Sequence, residues 1–273
     1  MGGRKVIVTL AIGETYRERW LRLCAPSWQA YAQRHDYDLV CFTTPLDQSE
    51  RAQQRSPAWQ KCLILGHPQL RQRERVVWID SDIVINPDAP DLCNGIPLEH
   101  VGAVDEFSSP TPQAYRLALE RFNWAWQKRE SGIQLPEEIS PAVYYQQVQL
   151  PATFDRVVQT GVMVLSPLFH RDLLELVYYK YEDFGAPRWN YEMRFLSYEL
   201  MERGRVTWMD PRFNAQWMWH KALHAPELLL YRPGEHKDLF LRQLGLAYQN
   251  NYFLHFAGCA LEMEVLPYLF ASE

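Results

Sequence analysis

The chain has 273 residues, of which 47% are hydrophobic, and a formal net charge of −5 at pH 7. This composition supplies a core large enough to fold without disulfide bonds. The acidic balance and the lack of a lysine- or arginine-rich run exclude a typical nucleic-acid-binding surface. No internal repeat, linker or low-complexity tract divides the sequence, so we predict a single domain over residues 1–273.

The cysteines and the apolar segments indicate the cellular compartment of the protein. Cys24, Cys41, Cys62, Cys93 and Cys259 are scattered and contain no Cys-x-x-Cys pair, which is typical of free thiols in a reducing compartment. The apolar run near the N-terminus is too short for a signal peptide, and no stretch approaches the ~20 apolar residues of a membrane span. We therefore predict a cytoplasmic protein.

The first part of the chain alternates between strand and helix patterns. Residues 5–12 form a β-branched apolar run that predicts a strand, and the apolar spacing over 16–31 predicts a helix. A second strand is expected at 37–44 and a second helix at 59–70, before the dense apolar stretch 75–87. This alternation predicts an α/β fold with a mainly parallel central sheet flanked by helices.

The pattern changes after a short predicted strand at 101–104. Residues 108–151 read as an insertion over the sheet, with a helix at 113–128, and a segment of this length is more typical of a lid or acceptor-side element than of a passive loop. The remaining predicted elements are a strand at 157–165, helices at 173–181 and 192–203, and strands at 206–209 and 252–256.

Two carboxylates, Asp80 and Asp82, lie where the buried strand of the 75–87 stretch should end. Residues two apart on an extended chain point to the same side, so both carboxylates can reach one cation. Roughly one Asp-x-Asp is expected by chance in a sequence of this composition, so the spacing alone is weak. Asp36 and Asp38 have the same spacing, but they lie at the start of the strand predicted at 37–44 and not at its end, and we expect a solvated turn there.

The predicted late strand ends in His255. A histidine in such an apolar setting is more often a core residue, but ligands of parallel sheets bind beyond the carboxyl ends of the strands. If both strands end at the same edge, His255 adds an imidazole to Asp80 and Asp82 and leaves positions for diphosphate oxygens on octahedral Mn²⁺ or Mg²⁺. Gly258 would let backbone amides approach a phosphate.

Five further polar or aromatic residues have a functional and a structural interpretation. Lys61 is either a phosphate or sugar ligand or a surface lysine, and Asp105 either a sugar ligand or a turn carboxylate. Glu192 begins a predicted helix, where the helix dipole alone favours a carboxylate. Asn214 and Trp217 lie in a polar turn that fits either sugar stacking or core packing.

Several segments, in their order along the chain, resemble nucleotide-sugar glycosyltransferases of the GT-A type. The resemblance is greatest to the retaining galactosyl-, mannosyl- and xylosyltransferase family of fungi and plants, with glycogenin-like and bacterial lipooligosaccharide galactosyltransferases as relatives. The matching segments are 59–61 (Trp-Gln-Lys), 77–82 (Val-Trp-Ile-Asp-Ser-Asp), 159–162 (Gln-Thr-Gly-Val), 210–214 (Asp-Pro-Arg-Phe-Asn) and 255–259 (His-Phe-Ala-Gly-Cys).

The resemblance implies a UDP-sugar donor bound along the first strand, a metal ion, and a saccharide or glycolipid acceptor. The implied metal ligands are Asp80, Asp82 and His255. The implied donor-binding residues are Thr9, Ala11, Tyr16, Lys61, Asp80, Ser81, Asp105, Thr160 and Gly258. The implied catalytic residues are Glu192 and Gln159, and the implied acceptor-binding residues are Asn214 and Trp217.

The chain departs from the family pattern at two points. Met193 replaces the glutamine that usually follows the acid at Glu192, and methionine cannot hydrogen-bond a sugar hydroxyl as glutamine does. Ala260 and Leu261 stand where a lysine for the diphosphate often follows the His-Phe-x-Gly motif, so that charge either comes from another residue, such as Lys61 or Lys221, or is absent. The family members of fungi and plants are membrane-anchored, and the absence of an anchor here fits a cytosolic bacterial relative better.

The leading hypothesis is therefore a metal-dependent retaining hexosyl- or pentosyltransferase. One alternative is a degenerate transferase that only binds a glycan or nucleotide. Another is a haloacid dehalogenase-type phosphatase, because residues 80–84 fit Asp-x-Asp-x-Val, although no later Gly-Asp-x-x-x-Asp completes that site. A sugar nucleotidyltransferase lacks support because residues 10–16 contain no glycine-rich signature.

Overall fold

A computed structural model describes residues 4–128, 140–183, 191–230 and 235–270. Together these residues form a mixed α/β fold with one six-stranded and one three-stranded sheet. Their strands are β1 (Lys5–Leu10), β2 (Asp38–Phe42), β3 (Arg75–Ile79), β4 (Ile83–Ile85), β5 (Val101–Asp105), β6 (Val158–Leu165), β7 (Val206–Trp208), β8 (Ala215–Gln216) and β9 (Phe253–His255).

The six-stranded sheet has the order β2-β1-β3-β6-β5-β7. β1 pairs in parallel with β2 and β3, and β5 pairs in parallel with β7, whereas β6 runs antiparallel to both of its neighbours. The mainly parallel, helix-flanked sheet predicted from the sequence is confirmed, with β6 as its reversed strand. Because β6 is reversed, its beginning lies at the edge of the sheet where β3 and β5 end.

The apolar stretch 75–87 forms two strands in different sheets. β3 belongs to the large sheet, whereas β4 pairs with β9, which lies between β4 and β8 in the small sheet. Both strands are buried. The three-residue turn between them breaks the strand because its two carboxylates cannot be buried without partners.

The helices of the described residues are α1 (Glu14–Arg19), α2 (Ala25–His35), α3 (Glu50–Gln53), α4 (Pro112–Lys128), α5 (Pro141–Gln146), α6 (Pro167–Lys180), α7 (Met193–Arg203), α8 (Trp217–His224), α9 (Lys237–Asn250) and α10 (Leu266–Phe270). A π-helical turn, Trp20–Cys24, joins α1 to α2. Pro26 follows this turn and has no N–H to donate, which explains why the helix departs from regular α geometry there. Among the described helices, none combines the length and apolarity needed to cross a bilayer.

The helix predicted at 59–70 is instead a 3₁₀ helix, Pro57–Gly66. Trp59, Cys62 and Leu65 are three residues apart and all fully buried. A 3₁₀ helix has three residues per turn, so this spacing aligns the three side chains on one side. Lys61 lies on the same helix and is buried as well.

Apolar clusters cover both faces of the large sheet. Alternate residues of β1 enter opposite clusters, with Ile7 in the cluster that contains Trp28 of α2. Val6 and Val8 pack in the other cluster, together with Leu196 of α7. This division follows from the two-residue period of a strand.

The insertion predicted at 108–151 contributes α4 and α5, while residues 129–139 lie outside the described ranges. Phe107 packs against Tyr115 of α4 with ring centroids 4.9 Å apart, and Tyr115 packs against Trp219 of α8 at 5.4 Å. Tyr144 of α5 joins the same cluster. These contacts fix the insertion beside the end of β5.

Candidate active site

Asp80 and Asp82 lie in the turn between β3 and β4. The N–H of Asp80 donates to the carbonyl of Gly161 in β6 at 2.8 Å, and the carbonyl of Asp82 accepts the N–H of Phe256 at 3.0 Å. The turn is thus attached to the large sheet at one end and to the segment after β9 at the other. Both carboxylates are half-buried.

His255 meets the two carboxylates from the end of β9. Its Nε2 lies 3.2 Å from Asp82 Oδ1 and 3.9 Å from Asp80 Oδ2. One ligand atom from each of the three residues lies within 4.8 Å of the others, as a shared metal ion requires. Two carboxylates and one imidazole form a donor set that suits Mn²⁺ or Mg²⁺.

A chain of side-chain amides orients the imidazole. His255 Nδ1 lies 2.8 Å from Asn214 Oδ1, an acceptor, so Nδ1 donates to this amide and Nε2 faces the two carboxylates. Asn214 Nδ2 donates to Gln159 Oε1 at 2.8 Å. Asn214 is 1% exposed, and its amide oxygen and nitrogen both form hydrogen bonds. It therefore orients His255 and does not lie on an open surface that could bind an acceptor.

The contact between His255 and Asp82 shifts the pKa of both side chains. Burial raises the pKa of Asp82, but the charge and hydrogen bond of His255 outweigh burial and hold that pKa below its usual range. Burial lowers the pKa of His255, but Asp82 and Asp80 outweigh it and raise that pKa above its usual range. Without a metal, the cluster therefore favours an imidazolium–carboxylate pair, and a bound cation would displace the imidazolium proton.

Gly161 leaves room for the imidazole over β6, as its position inside a predicted strand suggested. A Cβ atom there would lie 2.5 Å from His255 Cε1 and 2.9 Å from His255 Nδ1. We expect Gly161→Ala to displace the ring, to destabilise the protein by about 1–3 kcal/mol, and to weaken Mn²⁺ affinity by roughly 10–100-fold. Urea unfolding and calorimetric Mn²⁺ titration measure these effects.

Gly245 of α9 provides the matched control. A Cβ atom there would meet only the end of the Leu269 side chain, at 3.2 Å. Gly245→Ala should leave Mn²⁺ affinity unchanged, because the position is remote from the cluster and alanine favours a helix. Equal Mn²⁺ affinities for Gly161→Ala and the wild type would contradict the role of this close contact.

Lys61 lies beneath the carboxylate turn and is 3% exposed. Its ammonium is 3.0 Å from Asp80 Oδ1 and 2.9 Å from Glu192 Oε1. Burial lowers the pKa of Lys61, but the two carboxylates outweigh burial and raise it, so the residue stays charged. The Trp78 indole N–H also donates to Asp80 Oδ1, at 2.8 Å, which fixes this carboxylate further.

Glu192 lies at the start of α7 and is 3% exposed. Besides contacting Lys61, its Oε1 accepts the Thr160 hydroxyl at 3.1 Å. Gln159, next to Thr160, accepts the N–H of Gly161. Thr160 and Glu192 therefore form one group with Lys61 beside Asp80, whereas Gln159 contacts Asn214 and Gly161 instead.

The predicted donor residues near β1 differ in their exposure. Thr9 and Ala11 are fully buried, and the Thr9 hydroxyl has no hydrogen-bond partner among the described residues. Tyr16 of α1 is 59% exposed, and Gly258 is exposed with a φ of 69°. Ser81 offers its side chain at the carboxylate turn, while its carbonyl accepts the Cys24 thiol at 3.3 Å.

Two predicted binding residues have internal partners in the structure. Asp105 is buried and accepts hydrogen bonds from Phe107 N, Val157 N and the Ser108 hydroxyl, as a turn carboxylate does. Trp217 is fully buried, and its indole N–H donates to Glu262 at 2.6 Å. Trp217 therefore packs in the core, and its ring has no exposed face on which a sugar could stack.

Lys221, a candidate for the diphosphate charge, is also buried and paired. Its ammonium lies 2.6 and 2.7 Å from the two carboxylate oxygens of Glu262. Glu262 belongs to the segment that follows Gly258, so this ion pair and the Trp217 hydrogen bond attach that segment to α8. Lys221 thus supports the loop in this conformation.

Glu106 is a neighbouring carboxylate that the sequence analysis did not select. It follows β5 directly, is 7% exposed, and accepts the amide N–H of Gln216 at 2.7 Å. Burial raises the pKa of Glu106 to about 7. The available signal was its position at the end of a buried strand, but sequence gives no sign of its amide partner 110 positions later.

The strand order and the carboxylate turn at the sheet edge define the GT-A fold class of glycosyltransferases. This fold is shared with a glycosyltransferase involved in glycosylation of the major capsid of PBCV-1, which is 14% identical, with 95% of this chain and 99% of that chain covered and a TM-score of 0.51. The galactosyltransferase LgtC, solved with donor and acceptor sugar analogues, is 13% identical, with 97% and 95% covered and a TM-score of 0.52. No family model matches the sequence, and no curated protein matches it either.

The structural similarity shows a common fold. At these low sequence identities, membership of the fungal and plant family remains a prediction. The shared fold does not favour the haloacid dehalogenase-type alternative.

Proposed function

We propose that the protein is a metal-dependent retaining glycosyltransferase. It would move a hexosyl or pentosyl group from a UDP-sugar donor to a hydroxyl group of a glycan or glycolipid acceptor. The observation that carries this proposal is the convergence of Asp80, Asp82 and His255 at the carboxyl edge of a GT-A sheet. Ligands of such sheets bind at that edge.

Asp80, Asp82 and Nε2 of His255 would hold Mn²⁺ or Mg²⁺, as their donor atoms and spacing fit such an ion. The ion would neutralise charge on the leaving diphosphate. Asn214 orients His255, and the Trp78 N–H and Lys61 orient Asp80. These contacts preorganise the ligands before the donor arrives.

We assign the donor sugar to the space beside the group formed by Thr160, Glu192 and Lys61. Glu192 would stabilise positive charge at the anomeric carbon, and Gln159 would contact the sugar from the side of Asn214 and His255. The nucleoside would lie along β1 near Thr9, whose buried hydroxyl has no protein partner among the described residues. An open pocket lined by Ile12 and Thr44 begins where β1 and β2 end, which supports this placement.

The experiment is a titration of Mn²⁺ and Mg²⁺ against a panel of UDP- and GDP-sugars, with donor hydrolysis as the readout. We expect metal-dependent hydrolysis of at least one UDP-sugar and a rise in Tm with that donor and Mn²⁺ together. NMR of the released sugar during early turnover should show retained anomeric configuration. A complete lack of metal-dependent turnover would overturn the enzyme proposal.

The second candidate is a degenerate transferase that only binds its ligands. Met193 and Leu261 favour it, because both replace polar residues of the family pattern. A Tm rise with UDP and Mn²⁺ in the absence of any hydrolysis would support this candidate over the enzyme.

A further inference from the structure

A cavity of about 760 Å³ lies at the edge of the six-stranded sheet opposite the metal cluster. Arg4 directly precedes β1, Glu74 directly precedes β3, Ser166 directly follows β6, and all three residues line the cavity. Because β6 is antiparallel to β3, these residues meet where β1 and β3 begin. The carboxylates of the metal cluster follow the other end of β3, about 16 Å away along a strand of 5 residues. The cavity is therefore separate from the proposed donor site.

Arginines dominate the wall of this cavity. Arg4, Arg71, Arg73 and Arg171 line it, and Glu74 is the one acidic residue among the described lining residues. The formal net charge of the whole chain is −5, so these arginines form a local positive site on an acidic protein. Positive charge that is concentrated in a concave site attracts an anion.

Ion pairs do not use up the hydrogen-bond donors of these arginines. Three of them pair with one carboxylate each: Arg4 with Glu74, Arg73 with Asp38 and Arg171 with Asp172. Arg71 is exposed and forms no ion pair with any described residue. A guanidinium has five N–H donors, and ion pairs between exposed side chains contribute little to stability. An anion with several oxygens can therefore bind these groups without disrupting the fold.

A fifth arginine lies next to the cavity and has an unsatisfied donor. Arg75 is 6% exposed, its Nη2 donates to the Ile96 carbonyl, and its Nη1 has no hydrogen-bond partner among the described residues. Val76 and Leu165 are register partners in β3 and β6, so Arg75 lies beside Ser166 of the cavity wall. A buried donor without a partner is costly, so its position favours an occupant that carries acceptor oxygens.

The start of α6 and an apolar surface complete the cavity. Ser166 forms no side-chain hydrogen bond to the first turn of α6, so the positive end of the helix dipole adds to the charge of the arginines. Leu98 and Leu168 add apolar lining, and Leu168 is 82% exposed. A cavity of this volume is typical of a site for a whole small molecule. The lining therefore suits an organic molecule with an anionic group.

We propose that this cavity binds an organic phosphate. Arg4, Arg71 and Arg171 would contact the phosphate oxygens, and Leu98 and Leu168 would contact the organic part. A phosphate monoester carries about −1.5 to −2 charge and three acceptor oxygens, which match several guanidinium groups better than a single carboxylate does. The same group occurs in soluble esters and in the headgroup of phosphatidic acid. The inference does not depend on the proposed glycosyl transfer.

The first measurement is a calorimetric titration with phenyl phosphate, a soluble monoester with an apolar ring, at neutral pH and low salt in EDTA. We expect saturable binding at one site per chain. The affinity should exceed that for inorganic phosphate, because the ring contacts the apolar lining. It should fall as the NaCl concentration rises, since salt screens exposed charges.

Variants of the cavity arginines locate the bound phosphate. Arg71→Met should lower the affinity for phenyl phosphate by roughly 10-fold, and Arg71→Met combined with Arg171→Met by roughly 100-fold. Both arginines are exposed, so the Tm without ligand should not change. Arg116→Met is the matched control, because it removes the same charge from an exposed position of α4 outside the cavity. It should leave the affinity unchanged.

A second measurement identifies the source of the phosphate. The protein is sedimented with phosphatidylcholine vesicles that contain or lack phosphatidic acid. Co-sedimentation that requires phosphatidic acid, is lost in the double variant and is kept by Arg116→Met assigns the site to a lipid headgroup. Binding of phenyl phosphate without co-sedimentation assigns the site to a soluble phosphate ester.

Two results would overturn the inference. One is a wild-type protein that binds neither phenyl phosphate nor vesicles with phosphatidic acid. The other is a double variant that binds as tightly as the wild type, because the phosphate then occupies another site, such as the donor site. Donor hydrolysis enters none of these measurements, so the inference and the proposed function can fail independently.

Discussion

We expect replacement of Asp82 by asparagine to lower the proposed Mn²⁺-dependent donor turnover by about 10³-fold, or ~4 kcal/mol of transition-state stabilisation. Asparagine keeps the size of the side chain but loses the charge that faces His255 and that a divalent cation would share. The loss of that charge would weaken cation binding, so the leaving diphosphate would develop its charge without a counterion. Initial rates over a Mn²⁺ titration measure the effect.

The sequence contains a matched control in its other Asp-x-Asp. Asp38 begins β2, and its half-exposed carboxylate pairs with Arg73 at the surface. Asp38→Asn should leave turnover unchanged and cost at most ~1 kcal/mol of stability, as exposed ion pairs do. Turnover by Asp82→Asn within tenfold of the wild type would contradict the metal site.

We expect replacement of Lys61 by methionine to destabilise the protein by about 3–5 kcal/mol. The Lys61 ammonium lies between Asp80 and Glu192. Removal of this ammonium leaves both carboxylates without the lysine, and the cost is high because Glu192 is almost fully buried. The apolar stem of methionine preserves the packing along the 3₁₀ helix. Urea unfolding at pH 7 in EDTA measures this loss without a contribution from bound metal.

Two variants separate charge from packing in this prediction. Lys61→Met combined with Glu192→Gln should recover at least ~1 kcal/mol, because the buried carboxylate becomes neutral. Lys180→Met should cost under ~1 kcal/mol, since Lys180 is half-exposed and its partner Glu199 keeps Arg203. An effect of Lys61→Met as small as that of Lys180→Met would refute the buried ion-pair interpretation.

The sequence predicted the metal cluster because its signals are local. Apolar runs that end in polar residues mark the ends of β3 and β9. The grouping of Asp80, Asp82 and His255 was predicted from the expectation that both strands end at one edge of one sheet. In the structure β9 instead pairs antiparallel with β4 in the small sheet, and this pairing brings His255 to the turn that carries the two carboxylates. The alternation of strands and helices gave the fold class for the same reason.

The sequence did not reveal contacts that depend on tertiary pairing. Lys61 allowed a surface or a ligand interpretation, and its burial follows from a 3₁₀ helix that propensities do not distinguish from an α-helix. The Glu106–Gln216 pair depends on β8, a strand of two residues whose pattern is too short to recognise. α8 and α9 were also not predicted, although the buried residues of α9, Phe240, Leu244 and Ala247, have helical spacing.

The position of β9 has a consequence for the synthesis of the protein. β9 is the last strand of the described chain, yet it lies between β4 and β8 in the small sheet and carries His255. When Asp80 and Asp82 have left the ribosome, β9 and its residue His255 have not yet been synthesised. We therefore expect Asp80, Asp82 and His255 to come together only after β9 has left the ribosome.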